Sequence, residues 1–341
     1  MRRLMNTLYV TTPQSYVHVD NGNAVVEHEG TVLARVPLHL LEGMVLFGVL
    51  AVSPALMGEC LERGISVSFL GMTGKFLARV DGAPKGNVLL RREQYRWADA
   101  DTMSLRVARR FIMAKVRSQQ SVLSRFCRDY PDEDLSGFSE AMATMKEMQA
   151  SVPKAGSRDE LMGLEGKAAD YYFSVFGRML SERSGFAFGG RTRRPPRDET
   201  NALLSLFYTL LTHDVAAACN AVGLDPYVGF LHVDRPGRLG LALDLMEEMR
   251  PYVVDRFVLS LINRRQLALD DFMHEPDGGV TMRDPARKQA IGLWQKRKQE
   301  QITHPFLGEK LPLGLLPYVQ AQLLARHVRG DLADYPAFVW R

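Results

Sequence analysis

Between residue 8 and about residue 82 the apolar positions fall in short runs broken by turn chemistry. "LYVTT", "SYVHVD", "NAVVEHEG", "TVLARVPL" and "MVLFGVLAV" are rich in Val, Thr and Tyr, as strands require. The break "DNGN" at 20–23 predicts a tight hairpin, because Asn-Gly accepts the positive φ angles of such a turn. "SPALMGECLERG" at 53–64 predicts a short helix, with Ser53 as cap, Pro54 in the first helical position and Gly64 as stop. "ISVSFL" and "GKFLARV" then read as two further strands around "GMTG". The segment is a small β-rich domain with one helix.

From about residue 98 the apolar period becomes helical. "DTMSLRVARRFIMAKVRSQQSVLSRFCRDY" spaces its apolar residues three and four apart. "SRDELMGLEGKAADYYFSVFGRML" opens with a capping box, Ser157 with Glu160. "ETNALLSLFYTLLTHDVAAACNAVG" is apolar nearly all round and predicts a central helix. Further helices are expected at 244–263, 283–300 and 313–328. The fold class is therefore α+β: a small β-rich domain over 1–85, a linker over 86–97, and a larger all-α domain over 98–341.

Composition adds bounds. A chain of 341 residues, 46% hydrophobic, can fill two cores and is too apolar to be disordered. The 43 Lys+Arg against 39 Asp+Glu give a formal charge of +4, which permits a nucleic-acid partner without requiring one. Cys60, Cys127 and Cys219 are odd in number, far apart and without CxxC, so neither a disulfide framework nor a thiolate zinc site is expected. The start "MRRLMNTLYVTT" lacks a signal-length apolar run, and "GMVLFGVLAVSPALM" is short for a bilayer and holds Pro54. A cytoplasmic protein with no membrane partner is expected.

Candidate chemistry concentrates in "GFLHVDRPGRLGLALDLMEEMRP", 229–251. Asp244 and Glu247 are three residues apart, and Asp244 and Glu248 four, so on a helix they share a face. Such acids repel unless a cation or basic partner compensates. The plainer reading is a solvated helix start, as it is a satisfied core histidine for His232. Glu165 stands in an apolar helical pattern between Gly163 and Gly166, each costing about 1 kcal/mol of helix stability relative to alanine. The glycines point to close approach by a backbone or a ligand; the plainer alternative is a helix crossing with Glu165 paired to Lys167 or an arginine. One histidine and two carboxylates suit Mg²⁺ or Mn²⁺, the imidazole favouring Mn²⁺. Such an ion can polarise a phosphodiester.

Basic runs accompany these groups. "GGRTRRPPRDETN" carries Arg191, Arg193, Arg194 and Arg197; "MRDPARKQAIGLWQKRKQEQ" adds Arg283, Arg287, Lys288, Lys296, Arg297 and Lys298; "LLRREQYRW" sets Arg91, Arg92 and Arg96 beside Tyr95 and Trp97. Arginine suits phosphate oxygens, with salt-sensitive binding as the consequence. Each run alone is equally well a solvated face.

Several long motifs in order then carry a family resemblance: "MNTLYVTTPQSY", "VPLHLLEGMVLFG", "SPALMGECLERGISVSFL", "LMGLEGKAADYYF", "RPPRDETNALLSLFYTLL", "GLDPYVGFLHVDRPGRLGLALDLMEEMRP" and "DRFVLSLINRR". The chain resembles the CRISPR-associated integrase, the first of the universal CRISPR-associated proteins, and its type I-C branch most. The resemblance implies a dimerising N-terminal β-sandwich and a helical catalytic domain. It implies a metal-dependent nuclease and integrase that inserts short DNA segments into the CRISPR array by 3′-hydroxyl attack. Its implied partners are double-stranded DNA and the second CRISPR-associated adaptation protein, with two homodimers per complex. The metal triad carried over by motif is Glu165 of "GLEG", His232 of "GFLH" and an acid of "DLMEE". Glu247 is favoured there and Asp244 remains an alternative. Arg250 is placed to hold a phosphate, and Asn201 to orient the site by hydrogen bonding. The readings to be separated are this integrase, an endonuclease of branched DNA, and a DNA-binding scaffold without chemistry.

Overall fold

The structure is a computed structural model that describes residues 7–41, 43–48, 51–71, 76–80 and 88–340. The expected turn at 72–74, the residues Val49 and Leu50, and the boundary residues 82–87 lie outside the described residues. By packing, the chain divides into two units, Met1–Lys85 with Asp284–Glu300, and Gly86–Arg283 with Gln301–Arg341.

Among the described residues the first unit holds two four-stranded sheets. One combines β1 (Thr7–Val10), β5 (Gly43–Phe47), β7 (Ser66–Leu70) and β8 (Phe76–Val80) in that order. The other runs β4 (Thr31–Pro37), β3 (Asn23–His28), β2 (Tyr16–Asp20), β6 (Ala51–Val52). The β2–β3 hairpin turns at Asn21-Gly22, both at positive φ, as the "DNGN" signal predicts. Val10, Met44, Leu46 and Val67 of one sheet share a core with Val17, Ala24 and Val26 of the other, which makes the unit sandwich-like. Helix α1 (Pro54–Arg63) adds Leu56 and Cys60 to it; Ser53 Oγ accepts from Leu56 N at 3.1 Å, and Gly64 ends the helix at φ 71°.

The helix Asp284–Gln299, expected within the C-terminal domain, belongs to this first unit. Its buried stripe is Ala286, Arg287, Ala290, Ile291, Trp294 and Lys298. That spacing alters the expectation for its basic residues. The Arg287 guanidinium is buried, 5.6 Å from the Phe47 ring centroid and 2.8 Å from Asp284. Arg297 is largely covered and pairs with Glu300. Of the basic residues named on this helix, Lys288 and Lys296 are exposed, while Lys298 is buried with Arg287.

The second unit is built on helices α2 (Val88–Asp99), α3 (Asp101–Asp129), α4 (Phe138–Ser151), α5 (Arg158–Phe176), α6 (Glu199–Val222), α7 (Gly240–Met246) and α8 (Arg256–Asn263). After α9, the Asp284–Gln299 helix, α10 (Leu316–Val328) completes it. Where a linker is expected from 86, the structure has α2 from Val88, with Leu90 and Gln94 buried. Two ribbons, Phe272–His274 with Val280–Met282 and Gln301–Thr303 with Lys310–Pro312, interrupt the all-α pattern. Helix α6 is mostly buried; it is long and apolar enough to cross a membrane by composition, and here it is a core helix. The helix expected over 244–263 is broken. Pro251 has no N–H to continue the ladder, and residues Arg250–Asp255 widen into a π-turn before α8.

Candidate active site

Helix α5 begins as its sequence dictates. Ser157 Oγ accepts from Glu160 N at 3.1 Å, while Glu160 Oε2 accepts from Gly156 N at 2.7 Å, one residue earlier than a strict capping box. Glu165 lies two turns further on. An added Cβ at Gly163 or Gly166 would meet nothing within 4 Å, so the helix-crossing account of these glycines does not hold and the face beside Glu165 is open.

Glu165 pairs with Lys115 of α3. The same ammonium lies 2.7 Å from Glu247 Oε2, and Arg250 reaches Glu247 Oε1 at 2.9 Å. Four charges, two of each sign, thus meet in a site where Lys115 and Glu247 are buried. Burial by itself would push the Glu247 carboxyl up, but Arg250 and Lys115 outweigh it and hold the group at about 2. Burial likewise works against the charged form of Lys115, and Glu165 with Glu247 more than restores it, leaving its pKa raised. Sequence reasoning missed Lys115. Its position was readable: it follows Phe111 by four and Ile112 by three, on the buried stripe of α3.

His232 and Asp244 are joined differently. Asp244 is fully buried and accepts from the backbone N–H groups of Phe230 (2.6 Å), Leu231 (2.8 Å) and His232 (3.1 Å). Its Oδ1 also faces His232 Nδ1 at 2.5 Å. An oxygen already accepting from a backbone N–H meets the ring nitrogen as a donor, which leaves the lone pair on Nε2. Asp244 therefore shapes the loop and orients the imidazole. The fold permits this through two glycines: a Cβ on Gly229 would sit 2.7 Å from Asp244 Oδ2, and one on Gly240 2.6 Å from Tyr227 O. Nothing in the spacing of the acids announced this use of Asp244.

Glu248, the third acid, points elsewhere. It accepts from Tyr335 Oη (2.6 Å), Gln320 Nε2 (2.8 Å) and Phe338 N (3.0 Å), and burial pushes its carboxyl up to about 8 despite these donors. Gln320 in turn meets His304 at 2.8 Å, so the network fixes the C-terminal segment.

A second shelf supports Arg250. Its guanidinium lies 5.0 Å from the Tyr208 ring, and that of Arg191 lies 5.4 Å from the same ring. Tyr208 Oη donates to Asp255 Oδ1 at 2.5 Å, and burial lifts Asp255 to about 6. Asn201 is buried and acts on this shelf: its Oδ1 accepts from Arg191 (2.7 Å) and Thr192 N (3.0 Å), while its Nδ2 donates to Gly190 O (2.8 Å) and Asp198 (2.6 Å). Arg191 is thus engaged inside the protein. Arg193 and Arg194 are exposed, and Arg197, also exposed, donates to Asp277 O at 2.5 Å.

Two carboxylates converge, then, and the imidazole stands beside them. Among the described residues no three His, Cys, Asp or Glu side chains are drawn close enough to hold an ion as they stand. The point shared by Glu165 and Glu247 is filled by the Lys115 ammonium. The donor set nevertheless suits a hard divalent cation, and buried Glu247 Oε2 has no aligned hydrogen-bond donor, only the ionic contact with Lys115.

Residues 8–296 match the family described as CRISPR associated protein Cas1. Over the full length of both chains the protein is 50% identical to CRISPR-associated endonuclease Cas1 2 of Rhodospirillum rubrum. It superposes on a chain of a Cas6-RT-Cas1–Cas2 complex with a TM-score of 0.83 and 26% identity, covering 100% of this chain and 36% of that one. Against a Cas1 protein from Thermotoga maritima the TM-score is 0.82 at 20% identity, with 98% and 100% of the two chains covered.

Proposed function

The chain belongs to the Cas1 family of CRISPR-associated proteins, and on that premise we propose that it is a metal-dependent DNA integrase of CRISPR adaptation, of the type I-C branch. The observation that carries the reading is the meeting of Glu165 and Glu247 on one cation, with Arg250 and an Asp244-oriented His232 around them.

Glu165, His232 and Glu247 would hold Mg²⁺ or Mn²⁺, which when bound neutralises charge at the attacked phosphodiester. Glu247 rather than Asp244 would be the third ligand, a choice supported by the hydrogen bonds that Asp244 already accepts from the 230–232 loop. Asp244 keeps the His232 lone pair on Nε2. Lys115 and Arg250 supply cations for the non-bridging phosphate oxygens. In strand transfer the 3′-hydroxyl oxygen of the incoming DNA bonds to phosphorus. The bond from that phosphorus to the 3′-oxygen of the target strand breaks, and the proton lost by the attacking hydroxyl is balanced by one gained on the departing 3′-oxygen. One phosphodiester replaces another, so no external energy source is needed.

The exposed Arg193, Arg194 and Lys288 are surface cations for double-stranded DNA, and the sandwich-like unit is the surface for homodimerisation, two dimers per complex. The partner is the second CRISPR-associated adaptation protein; the Cas1–Cas2 assembly named for a structural relative supports it. A second reading, endonuclease action with water in place of the hydroxyl, is favoured by the name of the Rhodospirillum relative. Incubation of protein and partner with a labelled duplex bearing free 3′ ends and a plasmid carrying a CRISPR repeat separates them. Covalent joining in Mn²⁺, lost in EDTA and in a folded Glu165→Ala variant, is expected. Cleavage of branched DNA without joining would favour the endonuclease, and joining by Glu165→Ala would overturn the site.

A further inference from the structure

The cation that joins the two carboxylates stands on a part of α3 with spare acceptors. Lys115 Nζ pairs with Glu165 and lies 2.7 Å from Glu247 Oε2. Three and four residues further on, Ser118 and Gln119 are buried, at 0% and 2% exposure. Ser118 Oγ and Gln119 Oε1 have no hydrogen-bond partner among the described residues. An unsatisfied buried acceptor is costly, and folded proteins keep few of them. Residues three and four apart are neighbours on a helix, and helical side chains lean toward its N-terminus. Both oxygens therefore belong to the turn beside Lys115. The step from Lys115 to Gln119 is about 6 Å along the axis, within the sweep of a flexible four-carbon stem.

Charge supplies a reason to make that step. Lys115 and Arg250 balance Glu165 and Glu247, so a divalent ion added to the set leaves two positive charges in excess. Cations at neighbouring points on the same carboxylates repel, the more so where water is excluded. Arg250 is the less free to leave, because its guanidinium also lies 5.0 Å from the Tyr208 ring and 3.6 Å from the Met246 sulfur. Lys115 has no ion-pair or hydrogen-bond partner beyond the two carboxylates among the described residues.

On the reading of Glu165, His232 and Glu247 as ligands of a divalent ion, we propose that Lys115 is a resident cation with two positions. It bridges Glu165 and Glu247 in the metal-free protein, where it relieves the repulsion between them. When the ion binds, the ammonium turns along α3 to the oxygens of Ser118 and Gln119. Gln119 is thus a positioning residue, which holds the ammonium beside the ion instead of on its ligands. Lys115 stays charged in both positions, and the excess charge of the loaded site is reduced by the phosphodiester of the DNA.

The test is Mn²⁺ binding to the full chain, read from the electron paramagnetic resonance signal of the free ion. The proteins compared are wild type, Gln119→Met, Lys115→Met and the double variant. Methionine keeps the length and helix preference of glutamine and removes the acceptor. Gln119→Leu is the second variant, and circular dichroism melting checks that each protein folds. Lys115→Met is expected to bind Mn²⁺ about tenfold more tightly, the competing cation being gone. Gln119→Met is expected to bind it about fivefold more weakly, because the displaced ammonium has lost an acceptor. In the Lys115→Met background Gln119→Met is expected to change nothing, since its effect runs through the ammonium. The same loss in both backgrounds would overturn the inference in favour of a merely structural Gln119. Gln119→Met and Gln119→Leu that both match the wild type would also overturn it, and assign the Gln119 oxygen to a bound water. Lys115→Met that binds no more tightly than the wild type would remove the competition itself. Absence of Mn²⁺ uptake in wild type and Lys115→Met alike would overturn the metal reading and this inference together.

Discussion

Lys115 Nζ lies 2.7 Å from Glu247 Oε2 and at the same time pairs with Glu165, so a single ammonium stands where two carboxylates from different elements converge. Removing it leaves those carboxylates short of a shared cation. Lys115→Met is expected to cost about 3 kcal/mol in EDTA, the usual scale for a broken buried pair. Mn²⁺ should then raise the melting temperature of the variant more than that of the wild type, because the ion no longer competes with the ammonium. Thermal unfolding with Mn²⁺ and with EDTA measures both effects. An equal Mn²⁺ shift in both proteins would contradict the shared position.

The Gly229–Gly240 approach predicts a structural route to an inactive site. Gly229→Ala brings a methyl to within 2.7 Å of Asp244 Oδ2 and 2.8 Å of Gly240 C. A destabilisation of about 2 kcal/mol is expected, with loss of joining in the molecules that remain folded. His232→Ala, by contrast, should lose joining with little change in stability. Urea unfolding beside the joining assay separates the two, and a stable, active Gly229→Ala would refute the packing argument.

Stability should fall as pH rises through the neutral range. Glu248 keeps its proton in the folded protein up to about 8 but releases it near the ordinary carboxylate value when unfolded. Between those values the folded state binds more protons, so each pH unit costs up to about 1.4 kcal/mol. Asp255, lifted to about 6, adds a slope of the same sign over a lower range. Glu247 works the other way, its contribution being present above the ordinary carboxylate range and lost as pH falls toward about 2. Glu248→Gln should flatten the slope between pH 5 and 8 in denaturant unfolding, whatever its effect on absolute stability. A slope equal to that of the wild type would assign it to other groups.

Tyr208 supports Arg250 with its ring and Asp255 with its hydroxyl. Tyr208→Phe should therefore cost about 1–2 kcal/mol of stability and retain joining. Tyr208→Leu removes the ring as well and should lower kcat for joining. Equal kcat values for the two variants would mean that the ring does not position Arg250.

The legible parts of this protein were those whose cause is local. Ser53, Pro54 and Gly64 set the limits of α1 through backbone chemistry at each end, and "DNGN" set the hairpin in the same way. Glu165 and His232 stood out because a charge and an imidazole interrupt apolar patterns. What escaped depends on partners distant in sequence. Lys115 looked like one more cation on a long helix until its burial beside Glu165 and Glu247 gave it a role. The helix Asp284–Gln299 carries a stripe that any core could accept, and nothing in it says which unit takes it. Its arginines looked like phosphate ligands because charge was visible and direction was not. Asp244 and Glu248 form one acidic run with Glu247, yet the fold turns one to a loop and the other to the C-terminal segment.

The most direct test of the site is Mn²⁺ binding followed by the electron paramagnetic resonance signal of free Mn²⁺, titrated into the wild type, Glu165→Gln and Glu247→Gln. A bound ion in the wild type that is lost or greatly weakened in both variants is the predicted result. Binding of equal strength in all three proteins would contradict the assignment of Glu165 and Glu247 as the carboxylates that hold it.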